Sequence, residues 1–495
     1  MLRLVYSDQS ERLLEGLLDG LGVGDRDPFE PTEIVVPNAN LEAWVRHGVA
    51  EARGVAANLR FWRLERFASR FVEEFEERRF RLVDLEITEG ALLHVLHDRD
   101  RLNAPPFERV RRYLSGPGGP EAADLRRTQL AARTARLFEE YAYHRPEMLA
   151  RWRKGELVEP GDADEEWQSS LWREILGDEG ILRESGPVRR DGEPRWVLLS
   201  EVLARHHREV PTESRPLHVF GLSYVGRVYQ DLFRLLRERR PVHLYSLNPC
   251  LEFWEDVESP RELRNRLRRE RGALRVDPES LKEEEDPFEL LKLEPDDTPL
   301  LRLWGSPGRE SHRLLNQLSD CDYEGRFSDP GEEPETLLRA LQLDILRREP
   351  RRRRPPPEPV WDDDDSLRIA GCASVRREVE VVADEIWHRI RSSSGPPESP
   401  PLRFHEIAVV VNHPARDEYL PHLEAVFREI HDIPISLGDL PLPGHSRIVD
   451  AALRLLELPF GRFDRREMLK LLNHPAVTGS FDDLSPEDWP ELTEE

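Results

Sequence analysis

The chain runs to 495 residues, enough for two to four domains with sizeable cores, yet only 38% of it is hydrophobic and 34% is charged. Acids outnumber bases 97 to 72, for a net charge of −25, and all but four of the bases are arginine. That balance excludes a surface that attracts nucleic acid everywhere; a DNA site has to be local, against the global field. The acid excess fits either a surface adapted to high salt or an acidic face that docks a basic partner. Cys250, Cys321 and Cys372 are too far apart for zinc spacing or an evident disulfide set, which predicts ordinary thiols in a reducing cytoplasm. There is no apolar run of membrane-spanning length and no leader-like N-terminus, so the chain is expected to be soluble and cytoplasmic, with no membrane partner.

The first stretch, Leu2 to Leu21, predicts a buried strand (Leu2, Leu4, Tyr6), a tight loop Ser7-Asp8-Gln9-Ser10, and a helix with Leu13, Leu14, Leu17, Leu18 and Leu21 on one face. Strand, loop and helix opening a chain is the layout of a nucleotide-binding domain. The loop has neither the glycines that let successive N–H groups close on phosphate nor a lysine, and Asp8 repels an anion. No lysine anywhere follows a glycine. The opening therefore reads as an ATPase-like scaffold without a functional phosphate loop.

A second strand, Glu33 to Pro37, leads through Asn38-Ala39-Asn40 into a helix from Leu41 to about Ala52. Two such units in succession predict a parallel sheet with crossover helices. A short extended piece at Asn58–Trp62 precedes a helix from Leu64 to about Arg78. Between Thr88 and His207 only helices are expected, at 88–97, 106–114, 121–143, 146–153, 165–176 and 197–208, with Pro146 stopping the long one. The sheet resumes with strands Leu217–Leu222 and Val242–Tyr245 around a helix Val228–Arg239. A working ATPase ends one of these strands in paired carboxylates for Mg²⁺; here they end in Gly221-Leu222-Ser223 and Ser246-Leu247-Asn248-Pro249.

Residues 260–298 read as a charged surface excursion, and 299–344 as packed helix with Trp304 and Leu314–Leu318 in the core. Arg351–Arg354, three prolines and Asp362–Asp365 read as linker. A second α/β unit is expected from Leu367, with strands Leu367–Gly371, Ile407–Val411 and Ile433–Leu437, a Ser374-capped helix, and helices at 415–428, 446–457 and 463–473. It stops without completing a sheet, as an N-terminal portion of something longer would. The expected domains are 1–87, an all-helical insertion 88–210, a continuation of the first domain at 211–348, a linker 349–366, and the start of a second domain at 367–495.

An autonomous metal-dependent hydrolase would need converging acids, but the acidic runs 283–286 and 362–365 fall in expected loops. His94 and His97 stand alone, and HExxH and GxSxG are absent.

Several stretches, in order over nearly the whole chain, resemble the RecC (gamma) subunit family of RecBCD, exonuclease V. They are LRLVYS, DPFEPTEIVVPNANLEAW, GVAANLRF, LFEEYAYHRPEMLARW, HVFGLSYV with HLYSLNPC, PLLRLWGSPGRE, SVRREVEVVADEI, and FHEIAVVVNHP with IPISLGD. The related AddB subunit shares the layout but keeps a glycine-rich phosphate loop. The resemblance implies degenerate superfamily 1 helicase-like α/β domains, P-loop-NTPase-like in layout, with a helical insertion. It also implies a non-catalytic DNA-binding scaffold that splits duplex ends and channels the 3′ strand for double-strand break repair. Its implied partners are RecB-like and RecD-like subunits and single-stranded or forked DNA. ATP and Mg²⁺ are expected on those subunits, with no cofactor in this chain.

Carried over by position, the family's strand-reading surface falls on three places: Pro37–Trp44, Asn58–Ser69 and Arg136–Arg145. The implied DNA-binding residues are Asn38, Asn40, Arg63, Leu137, Glu139, Glu140 and Arg145. Pro37, Ala39 and Ala43 stand where polar side chains are expected, Arg63 and Ser69 replace apolar and aromatic residues, and Arg136 inverts a charge. The tunnel is thus expected to persist with altered or absent sequence specificity. An arginine past a helix end can reach a phosphate or base edge, and carboxylates can accept from cytosine amino groups. Equally, Arg145 can pair with Glu139 or Glu140 and cap its helix, and Asn38 can be a simple N-cap. Trp44, Trp62 and Phe67 fit either base stacking or a core.

Overall fold

The computed structural model describes residues 1–22, 31–75, 80–184, 195–205, 215–269, 298–318, 321–328, 334, 336–349, 364–393, 401–412, 415–438, 446–458 and 465–478. Two units divide the chain, Met1–Leu367 and Arg368–Glu495.

In the first unit, β1 (Leu2–Ser7), α1 (Ser10–Gly20), β2 (Thr32–Val35), α2 (Ala39–Arg53), β3 (Leu59–Trp62) and α3 (Leu64–Phe75) follow one another as expected. A helical layer comes next: after a short strand β4 (Phe80–Leu82), α4 (Leu85–His97), α5 (Arg99–Leu102), α6 (Glu108–Leu114), α7 (Gly119–His144), α8 (Pro146–Arg153), α9 (Ala163–Leu176) and α10 (Ile181–Glu184). Then come β5 (Arg195–Val197), α11 (Leu199–Arg205), β6 (Leu217–Phe220), α12 (Arg227–Leu236), β7 (Val242–Leu247), α13 (Pro260–Arg269), α14 (Pro299–Trp304), α15 (Ser306–Asn316), β8 (Asp322–Gly325) and α16 (Leu337–Leu346).

Six strands form one sheet in the order β3-β2-β6-β7-β1-β8, every pairing parallel. The period-two alternation sends Leu2, Leu4, Val35, Leu217, Val219, Val242 and Leu244 to one face, packed on α3, α11 and α12. Val5, Ile34, Val36, Phe220 and Tyr245 go to the other, under Leu13 and Leu17 of α1 and Val45 and Val49 of α2. With both faces covered, the strands read as nearly continuous apolar runs. A separate core built on α4, α7, α8 and α9 surrounds Trp152 and Trp172.

Four expectations need correction. The stretch read as free of strands contains β5, which pairs in parallel with β4 across the helical layer, so that layer is not all-helical. Both strands are three residues long, too short for alternation to register. Residues 299–344 are not helix throughout: Asp322–Gly325 forms edge strand β8, whose side chains are mostly exposed and leave no apolar signature. Trp304 is 76% exposed rather than core, while Leu315 and Leu318 are buried as expected. The fourth correction falls in the second unit.

There, α17 (Val375–Ser392) is capped by the Ser374 hydroxyl, which accepts from the Arg377 N–H. α18 (Arg416–Leu423) widens into a π-helical stretch Glu424–Ile430 just after Pro421, whose missing N–H breaks the regular ladder. α19 (Arg447–Glu457), α20 (Arg465–Leu472) and α21 (Pro475–Thr478) follow. None of the three expected strands, 367–371, 407–411 and 433–437, is hydrogen-bonded into a sheet. Ile407, Val411, Ile433 and Ile435 pack on α17 and the π stretch, whereas Ile369 and Val410 are over 90% exposed. Apolar β-branched runs announce burial or pairing; only a neighbouring backbone makes them strands. The excursion beyond α13 and nearly all of the 349–366 linker lie outside the described residues. Asp364 is an exception: its carboxylate accepts from the N–H groups of Leu337, at the start of α16, and Ser366.

Candidate nucleic-acid interface

The carboxyl ends of β2, β3 and β6 form one edge of the sheet, and the three stretches singled out from sequence meet there. Asn38 is the N-cap of α2, its Oδ1 accepting from the Leu41 N–H at 2.9 Å. Asn40 is exposed on the first turn. Arg63, in the turn between β3 and α3, donates to Glu42 of α2 at 3.0 Å, and Glu42 also takes Arg46. That pair ties the first stretch to the second. Leu41 in turn closes on Gly221, which takes φ +69° at the end of β6; a Cβ there would stand 2.5 Å from Leu41 Cδ2.

The third stretch enters from the helical layer. Leu137 is half-buried and Phe138 buried inside it, while Glu140 and Arg145 face outward. Arg145 sits between α7 and α8, its backbone N–H donating to the Tyr141 carbonyl and its guanidinium 5.4 Å from the Tyr141 ring centre. Among the described residues it makes no ion pair with Glu139 or Glu140. Glu139 is half-buried; burial first, then the charges of Glu65, Glu86, Asp84 and Glu140, push its pKa up. So α7 brings a strained carboxylate against the starts of α3 and α4, and leaves one unneutralised arginine at the corner.

Sequence reasoning missed two residues at this edge. Tyr224, half-exposed in the β6–α12 loop, packs its ring 5.2 Å from that of His144, the last residue of α7. Burial lowers the His144 pKa, with Glu140 opposing and Arg145 reinforcing the shift. Beside them Tyr143 stacks on Tyr229 at 5.0 Å. The signal lay in position, a loop at a strand's carboxyl end, rather than in any motif.

The aromatic candidates for base stacking are taken up by packing. Phe67 is buried, and Trp44 lies against Phe220. Trp62 donates to Glu33 at 3.1 Å beneath the Arg70 guanidinium. Burial raises the Glu33 pKa, but Arg240, Trp62 and Arg70 outweigh it and hold the carboxyl below its usual range.

The loop after β1 is clasped by the segment that follows β8. The Asp8 carboxylate accepts from the backbone N–H of Ser328 at 2.8 Å and from its hydroxyl, and Ser7 Oγ donates to the Arg326 carbonyl at 2.7 Å. Among the described residues no group of His, Cys, Asp and Glu side chains is placed to hold a metal ion, His94 and His97 included. His97 hydrogen-bonds the Leu93 carbonyl instead. No described helix is long and apolar enough to cross a membrane.

Sheet, helical layer and edge define an α/β protein with a six-stranded parallel sheet whose carboxyl edge is the natural place for a ligand. More specifically, the chain belongs to the RecC family: the family model for the RecC N-terminal domain matches residues 2–348. It is 28% identical to the RecBCD enzyme subunit RecC of Escherichia coli K12, over 97% of this chain and 43% of that protein. To the Haemophilus influenzae subunit it is 26% identical, over 100% of this chain and 45% of the relative. To the Mycobacterium tuberculosis subunit it is 24% identical, over 97% and 41%. The chain therefore spans less than half the length of these relatives.

Proposed function

We propose that this chain is the N-terminal part of a RecC-type subunit of a RecBCD-like complex, serving as scaffold and strand guide at DNA ends rather than as motor or nuclease. The observation that carries this reading is the match to RecBCD subunits along 97% or more of the chain. The Asp8–Ser328 clasp supports the absence of ATP turnover here, because a carboxylate bonded to backbone stands where phosphate would need N–H groups and a cation. In this reading ATP and Mg²⁺ belong to RecB-like and RecD-like partners. The strand passes over the edge formed by Asn38, Asn40, Arg63, Leu137, Glu139, Glu140 and Arg145. The specificity of that edge is reduced, since Asn38 and Arg63 are already engaged within the protein.

The test is binding of forked DNA with 3′ and 5′ tails across a salt series, with ATP hydrolysis followed in parallel. Fork binding without turnover is expected, and Arg145→Ala should weaken it several-fold, about 1 kcal/mol, while lowering the salt slope by about one. ATP turnover stimulated by the fork would overturn the scaffold reading. Unaltered fork binding by Arg145→Ala would move the strand path elsewhere.

A further inference from the structure

At the other end of the same sheet edge, past β7, β1 and β8, lies a cavity of about 220 Å³. Its walls are aromatic. The Tyr6 ring lies 4.8 Å from that of His312 and 5.7 Å from Tyr323, and Trp254 lies 5.6 Å from His312. These rings are locked in place. Asn316 Oδ1 accepts from both the Tyr6 and Tyr323 hydroxyls, and Asn248 Oδ1 accepts from the Trp254 indole at 3.0 Å. At the mouth stand Phe253, 65% exposed, and the carboxylates Glu252 and Glu255.

The acceptors left open here are Glu252, one oxygen of Glu255 (Asn316 Nδ2 donates to the other) and one buried ring nitrogen. His312 is only 4% exposed, and its Nε2 lies 2.9 Å from the Leu247 carbonyl, which can only accept. The ring proton therefore sits on Nε2, and Nδ1 presents a lone pair with no partner. Burial lowers the His312 pKa to about 4, so the ring stays neutral at physiological pH. A bare buried acceptor, ring faces of negative potential and two carboxylates at the mouth together ask for a flat cation with several N–H donors. The adjoining cavity, of about 440 Å³, is charge-balanced: Asp256 pairs with Arg348, Glu258 with Arg266 and Glu310 with Arg309. The two carboxylates at the mouth disfavour a ligand carrying phosphate and suit a basic segment, on a chain with net charge −25.

We infer that this cavity is an anchor for one arginine side chain presented by a partner polypeptide. The guanidinium lies against Trp254 and Phe253, donating to Glu255 and His312 Nδ1, and Leu251 and Phe253 cover the aliphatic stem. The anchor is independent of the DNA path, which lies at the β2–β3 end of the edge.

The test uses the 495-residue chain and a fluorescein-tagged pentapeptide with one central arginine, alongside its citrulline and lysine twins, read by fluorescence anisotropy. Saturable binding of the arginine peptide is expected, about tenfold tighter than the citrulline twin, which keeps the shape and loses the charge. Phe253→Ala and Glu255→Gln should each weaken it about fivefold. Both positions are at least partly exposed, so unchanged circular dichroism melts are expected; Glu252→Gln, fully at the surface, gives a third reading if either melt moves. Equal binding of arginine and citrulline peptides, or no saturable binding at millimolar peptide, overturns the inference. So does displacement by an oligothymidine that the same substitutions weaken, which would make the cavity a base pocket.

Discussion

Glu139 is an acid held against acids. Its folded-state pKa lies above the ordinary 4.5 because it is partly buried beside Glu65, Glu86 and Asp84. The folded protein thus binds its proton more tightly than the unfolded chain, and stability falls as pH rises from the ordinary value through the raised one. Glu139→Gln is expected to melt higher than the parent at pH 7, with the gain vanishing near pH 4; a thermal melt series across that range checks it. Glu262 has the opposite sign. Hydrogen bonds from Arg309 and Ser259 lower its pKa to about 2, so its contribution is present above 4.5 and is lost as pH falls toward 2. The Arg309 side chain is buried but that of Glu262 is 40% exposed, and after solvent screening Glu262→Gln should cost about 1 kcal/mol at neutral pH and flatten the acid limb of the melt profile. At this scale the sequence was legible where the chemistry is local. Asn38 as an N-cap needs only the next three residues. The pairing of Arg63 with Glu42 depends on β3 lying beside β2, which no local pattern announces.

Elements were legible in proportion to their length and burial. β1, β2, β6 and β7 carry apolar side chains to two cores and stood out, whereas β4 and β5 are only three residues long and β8 is mostly exposed. Edge strand β8 is held by parallel pairing with β1 and by the Asp8–Ser328 clasp that follows it. Asp8→Ala removes the acceptor for two donors and should cost about 1–2 kcal/mol, seen as faster hydrogen exchange at 322–328 with little change in β6. Two substitutions weigh a buried apolar residue against the tryptophan that the sequence wrongly placed in the core. Leu232 of α12 is fully buried in the sheet core, so Leu232→Ala should cost about 2–5 kcal/mol. Trp304→Ala, at an exposed position, should stay within about 0.5 kcal/mol. Urea unfolding of both variants tells the two environments apart; an exposed tryptophan at the end of α14 looked like core only because large apolar residues usually are.

At the scale of the molecule, the two units differ in how fully they cover their apolar surface. Met1–Leu367 holds a sheet covered on both faces, with the helical layer's core built separately. In Arg368–Glu495 the core lies between α17, α18 and the π stretch, while Ile369 and Val410 are nearly fully exposed and Ile448, Leu455 and Leu456 of α19 are 60% exposed or more. Periodicity suggested an α/β second unit because it senses which residues are apolar. It is blind to whether another backbone lies alongside, so it wrote strands where the structure has none. Exposed aliphatic side chains bind the fluorescent dye ANS, and charge alone does not mask them. A fragment of residues 368–495 should therefore enhance ANS fluorescence well above one of residues 1–367 at equal concentration. The larger fragment should melt in a cooperative transition with little dye bound. Equal dye binding by the two would mean that the apolar groups of the second unit are covered in solution, and that 367–371 and 407–411 find partners within it.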